Sequence, residues 1–93
     1  MECGRAHLYI EGKVQGVFYR VFARDIAMNL GLSGWVRNLY DGRVEAVLEG
    51  NHEHIKKALR EYRKGPSGAS VTHIEITWET CTGETKGFDI RYG

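Results

Sequence analysis

The chain changes from strand to helix within one stretch, residues 6–30, which reads AHLYIEGKVQGVFYRVFARDIAMNL. Its first six residues alternate apolar and polar side chains, and that two-residue period is typical of a half-buried strand. The period breaks at Gly12, so we predict a loop from Gly12 to Arg20. After the loop, apolar residues recur at helical spacing: Phe22, Ala23, Ile26, Ala27 and Leu30. We therefore predict a helix over Val21–Leu30 that ends at Gly31.

The rest of the chain supplies a hairpin, a second helix and two further strands. Asp41-Gly42 between extended segments is a strong hairpin signal, because these residues accept the positive φ of a tight turn. The predicted elements are strands over Ser33–Leu39 and Arg43–Gly50, a helix capped by Asn51 with the apolar stripe Ile55, Ala58, Leu59 and Tyr62, a strand over Ser70–Glu79, and a last short strand with Phe88, Ile90 and Tyr92 on one face.

The order of these elements is strand, helix, strand, strand, helix, strand, with a short extra strand at the end. This order predicts an α+β, ferredoxin-like fold, a split βαβ arrangement (βαββαβ plus a short C-terminal strand) with two helices on one face of a mainly antiparallel sheet. We expect residues 1–93 to form a single domain. The fold hosts enzymes, RNA binders and regulatory domains, so it does not by itself indicate a function.

Charge and hydrophobicity exclude several classes of protein. The chain has 13 basic and 12 acidic side chains, a balance that argues against a general nucleic-acid binder. It has no stretch approaching the roughly 20 apolar residues of a membrane span, and its first residues lack a signal-peptide apolar region. We therefore expect a cytoplasmic protein without nucleic-acid or membrane partners, and a monomer is the simplest expectation.

The cysteines and histidines do not form a metal-ligand pattern. Cys3 and Cys81 are too few and too far apart for a zinc or redox motif, and reduced thiols are the default in the cytoplasm. The ferredoxin-like topology would nevertheless bring the start of the first strand near the end of the strand after the second helix, so a disulfide between them stays open. The four scattered histidines are interpreted as solvated surface residues: His7, His52, His54 and His73.

The loop ending at Arg20 carries the main chemical signal. Its glycines let the backbone curve so that successive N–H groups converge, and the helix that follows adds unpaired donors and the positive end of its dipole. Arg20 can supply a planar, bidentate charge at the same place. The pattern is compatible with a phosphate or carboxylate site, and also with an ordinary strand–helix connection that has an arginine on the surface.

Asn38 is the second candidate, at the end of the segment Gly34-Trp35-Val36-Arg37-Asn38 just before the hairpin. A neutral amide donates to one oxygen and accepts from another, so it can hold a water molecule in one orientation. Taken alone, Asn38 fits better as a turn residue that bonds its own backbone.

Together the two segments resemble the acylphosphatase signature. Gly12-Lys13-Val14-Gln15-Gly16-Val17-Phe18-Tyr19-Arg20, followed at the family's distance by Gly34–Asn38, carries most of the resemblance. The similarity extends through Asp41–Glu45, Lys64–Pro66 and Gly87–Ile90, and so covers nearly the whole chain. Many relatives have glycine where this chain has Phe18, a side chain that could crowd the loop mouth, although vertebrate-type members also carry a larger residue there.

The resemblance implies hydrolysis of acyl phosphates to a carboxylate and inorganic phosphate, without a metal or other cofactor. Carried over by position, Arg20 is the phosphate-binding arginine and Asn38 orients the attacking water. The resemblance also implies that the loop binds the phosphate through backbone N–H groups of Gln15, Gly16, Val17, Phe18, Tyr19 and Arg20.

Two other functions are compatible with the fold. A ferredoxin-like module that binds RNA or a small effector would need aromatic side chains on the open sheet face; Tyr9 and Trp35 are candidates, but the RNA-recognition signature is missing. An anion-binding domain fused to a larger enzyme is the second possibility, and a start at Met1 without a linker favours a chain that acts alone.

Overall fold

The computed structural model describes residues 2–92. The strands form one sheet in the order β4-β1-β3-β2-β5, in which β2 and β5 are parallel and the other neighbours antiparallel. The predicted ferredoxin-like fold is confirmed. The elements are β1 (Cys3–Lys13), α1 (Tyr19–Asn29), β2 (Ser33–Asn38), β3 (Val44–Asn51), α2 (His52–Lys64), β4 (Ser70–Glu79) and β5 (Phe88–Arg91).

The core lies between the sheet and the two helices. Ala6, Leu8 and Ile10 of β1 are fully buried, as their alternation predicted. The predicted stripe of α2 is also buried, and Asn51 caps this helix by accepting hydrogen bonds from the N–H groups of Glu53 (2.9 Å) and His54 (3.1 Å). Periodicity identified these contacts because each of these elements buries one face.

Helix α1 differs from its prediction at its start and in its inward face. It begins at Tyr19, two residues before its predicted start at Val21, so Arg20 lies inside the helix. Tyr19, Ala23 and Ala27 are its buried residues, whereas the larger apolar residues flank the contact and are half-buried: Phe22, Ile26 and Leu30. The small alanines allow close packing on the sheet, which explains why the largest side chains are not the deepest.

Two tyrosines tie the helices together through buried hydroxyl groups. Tyr19 donates to the carbonyl of Tyr62 (2.7 Å), and Tyr62 donates to the carbonyl of Ala23 (2.8 Å). Burial raises the pKa of both phenols, so both stay protonated as donors. Both buried hydroxyls are therefore satisfied, and the first turn of α1 is fixed against α2.

The edge strands bury less than their alternation predicted. In β4, Ile74 is buried and Ile76 half-buried, but Thr72 and Trp78 are exposed. Strand β5 ends at Arg91, so Tyr92 lies beyond it and is 80% exposed. A strand at the edge of a sheet has one neighbour instead of two, and its side chains find fewer partners.

Cys3 and Cys81 form a disulfide, with 6.4 Å between their Cα atoms, which corrects the expectation of reduced thiols. The pairing of β1 with β4 places Arg5 opposite Glu79 and brings the two cysteines together. Next to the bridge, Glu49 accepts hydrogen bonds from the backbone N–H groups of Thr82 and Gly83, both at 2.9 Å. Burial would raise the pKa of Glu49, but these donors and Arg5 lower it below its usual range.

His7 is another correction, because it is not a solvated surface residue. Its Nε2 lies 2.6 Å from Oε2 of Glu45, a carboxylate on the open face of the sheet that is only 4% exposed. The ring also stacks on Tyr9, with 5.1 Å between centroids. Cross-strand neighbours cover this position, a contact that spacing along the chain does not reveal.

Candidate active site

The predicted site residues meet because the C-terminal ends of three strands lie on the same side of the sheet. Strands β1 and β2 both run antiparallel to β3, and β5 runs parallel to β2, so all three point the same way. The loop after β1, Asn38 at the end of β2 and Tyr92 after β5 therefore lie on one side. Segments far apart in the chain converge there.

The loop before α1 uses left-handed backbone conformations to turn toward the helix. Gly16 has φ +74°, and Phe18, which precedes the helix, has φ +60°. A left-handed conformation costs a non-glycine residue about 1–2 kcal/mol, so the surrounding structure holds Phe18 in place. Its side chain is 84% exposed and forms part of the cavity mouth rather than filling the loop.

The start of α1 is suited to an anion. Its N-cap residue, Phe18, provides no side-chain hydrogen bond to the helix, and the first turn has no acidic residue. The N–H groups of a helix's first turn have no partner within the helix, and they carry the positive end of its dipole. The loop and helix start together therefore form a region of backbone donors that favours negative charge.

Arg20 adds a positive charge at this helix start. It is the second residue of α1, and its guanidinium carbon lies 4.9 Å from the centre of the Tyr92 ring. Within residues 2–92, Arg20 forms no ion pair with a carboxylate. Among these residues its charge therefore has no carboxylate partner, and the tyrosine face restricts the plane of its guanidinium.

Asn38 presents a buried acceptor at the same edge. Its Oδ1 is buried, and it has no hydrogen-bond partner in the part of the chain that the structure describes. Leaving such an atom unpaired costs about 1–3 kcal/mol, a cost that a bound water or ligand would remove. In the adjoining turn it is Asp41 that bonds the backbone, since its Oδ1 accepts from the Arg43 N–H at 3.1 Å.

Two adjoining cavities share Arg20, Asn38 and Tyr92. The smaller has a volume of about 250 Å³ and the larger about 510 Å³. The predicted residues Gln15, Gly16, Phe18, Tyr19, Arg20 and Asn38 all line one or both, whereas the side chain of Val17 packs against the core. The structure thus places six of the seven predicted site residues around these two adjoining cavities.

The side chain of Gln15 joins the two halves of the site. Its Nε2 donates to the carbonyl oxygens of Leu39 (2.7 Å) and Arg43 (2.9 Å), which flank the hairpin turn after Asn38. The loop that carries Arg20 is therefore tied to the strand end that carries Asn38. Sequence reasoning considered only the backbone N–H of Gln15, because nothing in the pattern marks contacts 24 and 28 positions away.

Neither a metal cluster nor a membrane-spanning helix is found among residues 2–92. No group of three or more histidine, cysteine, aspartate or glutamate side chains there could hold a metal ion. Neither α1 nor α2 is long and apolar enough to cross a membrane.

Known proteins of one family match this chain. The family model described as Acylphosphatase matches residues 6–90. An acylphosphatase of Roseiflexus sp. (strain RS-1) is 50% identical, with 97% of each chain covered, and one of Pyrobaculum aerophilum is 53% identical over 97% of this chain and 96% of its own. The crystal structure of acylphosphatase from Bacillus subtilis superposes with a TM-score of 0.93 at 31% identity, covering 96% of this chain and 99% of that one. The chain therefore belongs to the acylphosphatase family of hydrolases.

Proposed function

We propose that this protein hydrolyses the carboxyl–phosphate bond of small-molecule acyl phosphates, releasing a carboxylate and inorganic phosphate without a metal ion or other cofactor. Family membership supports the reaction. The observation that carries the assignment of residues is that Arg20 and Asn38 line the same cavities, and that within residues 2–92 Arg20 has no carboxylate partner and the buried Oδ1 of Asn38 has no hydrogen-bond partner.

In this proposal the phosphate lies on the loop Gln15–Arg20 and the start of α1. Charge spreads over the phosphoryl oxygens in the loose transition state of phosphoryl transfer. Fixed N–H donors and the Arg20 guanidinium stabilise that charge without reorganising, and each such donor is worth about 3 kcal/mol by analogy with oxyanion holes. The uncapped first turn of α1 supports this role.

Asn38 positions the attacking water. The leaving carboxylate has a conjugate acid with a pKa near ~4, so it departs without a general acid. The incoming water needs little deprotonation early in a loose transition state, and orientation by an amide is enough. The buried Oδ1 of Asn38 supports this role, since it can accept a hydrogen bond from that water.

The test is phosphate release from acetyl or benzoyl phosphate in the presence of a chelator. We expect hydrolysis by the wild type, and Asn38→Ala should lower kcat by a factor on the order of 100 or more, because loss of orientation is costly. Inhibition by inorganic phosphate should persist in this variant. Arg20→Lys should weaken that inhibition as well, since an ammonium group cannot form the bidentate contact.

Two matched variants control for general damage. Asn29→Ala changes an exposed asparagine at the end of α1, and Arg24→Lys changes another arginine of the same helix. Both should retain wild-type rates. A wild-type rate for Asn38→Ala would contradict the water-positioning role, and no hydrolysis by folded wild-type protein would contradict the enzymatic function.

We further propose that residues 1–93 act as one domain, in the cytoplasm and as a monomer. Within residues 2–92, a single apolar core between the sheet and its helices supports the one-domain assignment. Size-exclusion chromatography with light scattering would test the monomer, which elution at twice the mass of the chain would contradict.

A further inference from the structure

Arg37 belongs to the wall of the larger cavity, and the proposed mechanism gives it no role. It precedes Asn38 on β2, and successive side chains of a strand point to opposite faces of the sheet. The two residues nevertheless line the same cavity, because the strand ends there. Arg37 reaches the site from the open face, whereas Asn38 reaches it from the side of the helices.

A buried carboxylate holds Arg37 in position. The Nε of Arg37 lies 2.6 Å from Oε1 of Glu45, which faces it across β2 and β3. The other oxygen of Glu45 contacts His7 at 2.6 Å, and the guanidinium carbon lies 5.6 Å from the centre of the Trp35 ring. One nitrogen is thus fixed, and within residues 2–92 the terminal Nη atoms of Arg37 have no hydrogen-bond partner.

The rest of the cavity wall shows what could bind there. Within residues 2–92, the lining contains two arginines and no carboxylate. Arg20 is assigned to the phosphate, so Arg37 is left for the other end of the substrate. Tyr40 and Tyr92 line the same cavity and are strongly exposed, and they offer apolar surfaces for the carbon atoms of an acyl group.

We propose that Arg37 is a specificity-determining residue that binds a carboxylate on the acyl group, so that the enzyme favours acyl phosphates with an anionic acyl chain. This proposal rests on the proposed function. Its physical basis is a pre-positioned guanidinium whose free N–H groups match the geometry of a carboxylate.

A purely structural role makes a different prediction. If Arg37 served only as a cross-strand ion pair with Glu45, its removal would lower stability and affect every substrate alike. The discriminating quantity is therefore a ratio: kcat/KM for 4-carboxybenzoyl phosphate divided by kcat/KM for 4-methylbenzoyl phosphate. Both substrates are benzoyl phosphates substituted at the same ring position. Comparing the ratio of a variant with that of the wild type cancels the difference in intrinsic reactivity between the two substrates.

Arg37→Met should lower this ratio about tenfold, the typical effect of losing a charge-assisted hydrogen bond that is partly exposed to solvent. The same measurement with 3-carboxybenzoyl phosphate covers a second position of the carboxylate. Arg37→Lys should keep part of the preference, because the charge remains while the fixed fork is lost.

Arg91→Met is the matched control. Arg91 is paired with Arg37 across β2 and β5 and lies 4.6 Å from the centre of the same Trp35 ring, but it does not line the cavity. Its ratio should stay within about twofold of wild type, since a charge outside the cavity is largely screened. If Arg37→Met leaves Glu45 too poorly paired to fold, Arg37→Met/Glu45→Gln gives the same test without the buried charge.

The proposal would be overturned if both Arg37 variants still hydrolyse 4-methylbenzoyl phosphate and keep the wild-type ratio for both the 4-carboxy and the 3-carboxy substrate. An equal loss of ratio in Arg91→Met would overturn it too, because the effect would then be a general one of surface charge. Absence of hydrolysis of all the substrates by folded wild type would instead overturn the proposed function together with this inference.

Discussion

The two helices start in opposite ways, although each follows a strand in one half of the same split βαβ arrangement. Helix α2 follows β3 directly, and Asn51 caps it with two hydrogen bonds while Glu53 places an acid in its first turn. Helix α1 follows a loop, has no side-chain cap and has a basic residue, Arg20, in its first turn. One helix start is satisfied internally, and the other is left open to a ligand.

This difference has a cost in stability at the start of α1. An N-cap is worth about 1 kcal/mol, and an acid in the first turn adds about 0.3–1 kcal/mol. The first helix forgoes both and also holds Phe18 in a left-handed conformation. The anion binding that we propose at α1 is the physical counterpart of these losses.

The largest expected effect comes from the covalent link between the two halves. The Cys3–Cys81 bridge joins β1 of the first half to the segment after β4 of the second, across a separation of 78 residues. Its loss should reduce the free energy of unfolding by about 4 kcal/mol in the chain-entropy model. Denaturation of the oxidised protein and of Cys3→Ser/Cys81→Ser would measure this, and activity at 25 °C should persist.

Intact mass after alkylation, with and without reductant, is the control for that experiment. Labelling of both cysteines before reduction would show that the bridge is not formed in solution.

An acidic side chain in the first turn of α1, like the one that α2 has, should weaken anion binding there and stabilise the helix. Val21 lies in the first turn of α1, is 38% exposed and lines the smaller cavity. Val21→Glu should weaken inhibition by inorganic phosphate by more than about tenfold, because its carboxylate competes for the same donors, while stability stays equal or rises by about 0.5 kcal/mol. Val21→Gln is the neutral control, and equal phosphate inhibition in the two variants would contradict the role of the helix start.

Removing the hydrogen bonds between the Gln15 side chain and the hairpin should have an intermediate effect on activity. Gln15→Ala removes two hydrogen bonds to the hairpin, worth about 1 kcal/mol each, and should lower kcat/KM by up to about tenfold. Gln15→Glu should be worse than Gln15→Ala, since a carboxylate cannot donate to the Leu39 and Arg43 carbonyls. Higher activity in the glutamate variant than in the alanine variant would argue against the tie.

The smallest effect is expected at the capped helix. Asn51→Ala should lower the free energy of unfolding by about 1 kcal/mol and leave the kinetics of the folded protein unchanged. Thermal unfolding combined with phosphate release would check both parts. A change in KM for this variant would mean that α2 also influences the site.

Sequence reasoning worked best where one face of an element alternates with the other. The burial of Leu8 and Ile10 in β1 and the stripe of α2 followed from periodicity. It was less accurate for α1, where the alanines rather than the large apolar residues make the deepest contact, and for Tyr92, which lies beyond the last strand. The depth of a side chain depends on how closely the facing element approaches, and spacing along one element carries no information about that distance.

By itself, the sequence determined the fold class, the family and the two residues on which the proposed mechanism depends. The fold class follows from local patterns, namely alternation, helical spacing and a hairpin signal, whereas the family and the roles of Arg20 and Asn38 come from the resemblance of two segments to the acylphosphatase signature. Only the tertiary structure decided that Gln15 bonds the hairpin, that Tyr92 lies against Arg20, and that Glu45 holds Arg37 at the cavity. Each of these three contacts joins residues from different elements of the fold, and the meeting of those elements depends on strand order and register, which are properties of the whole sheet.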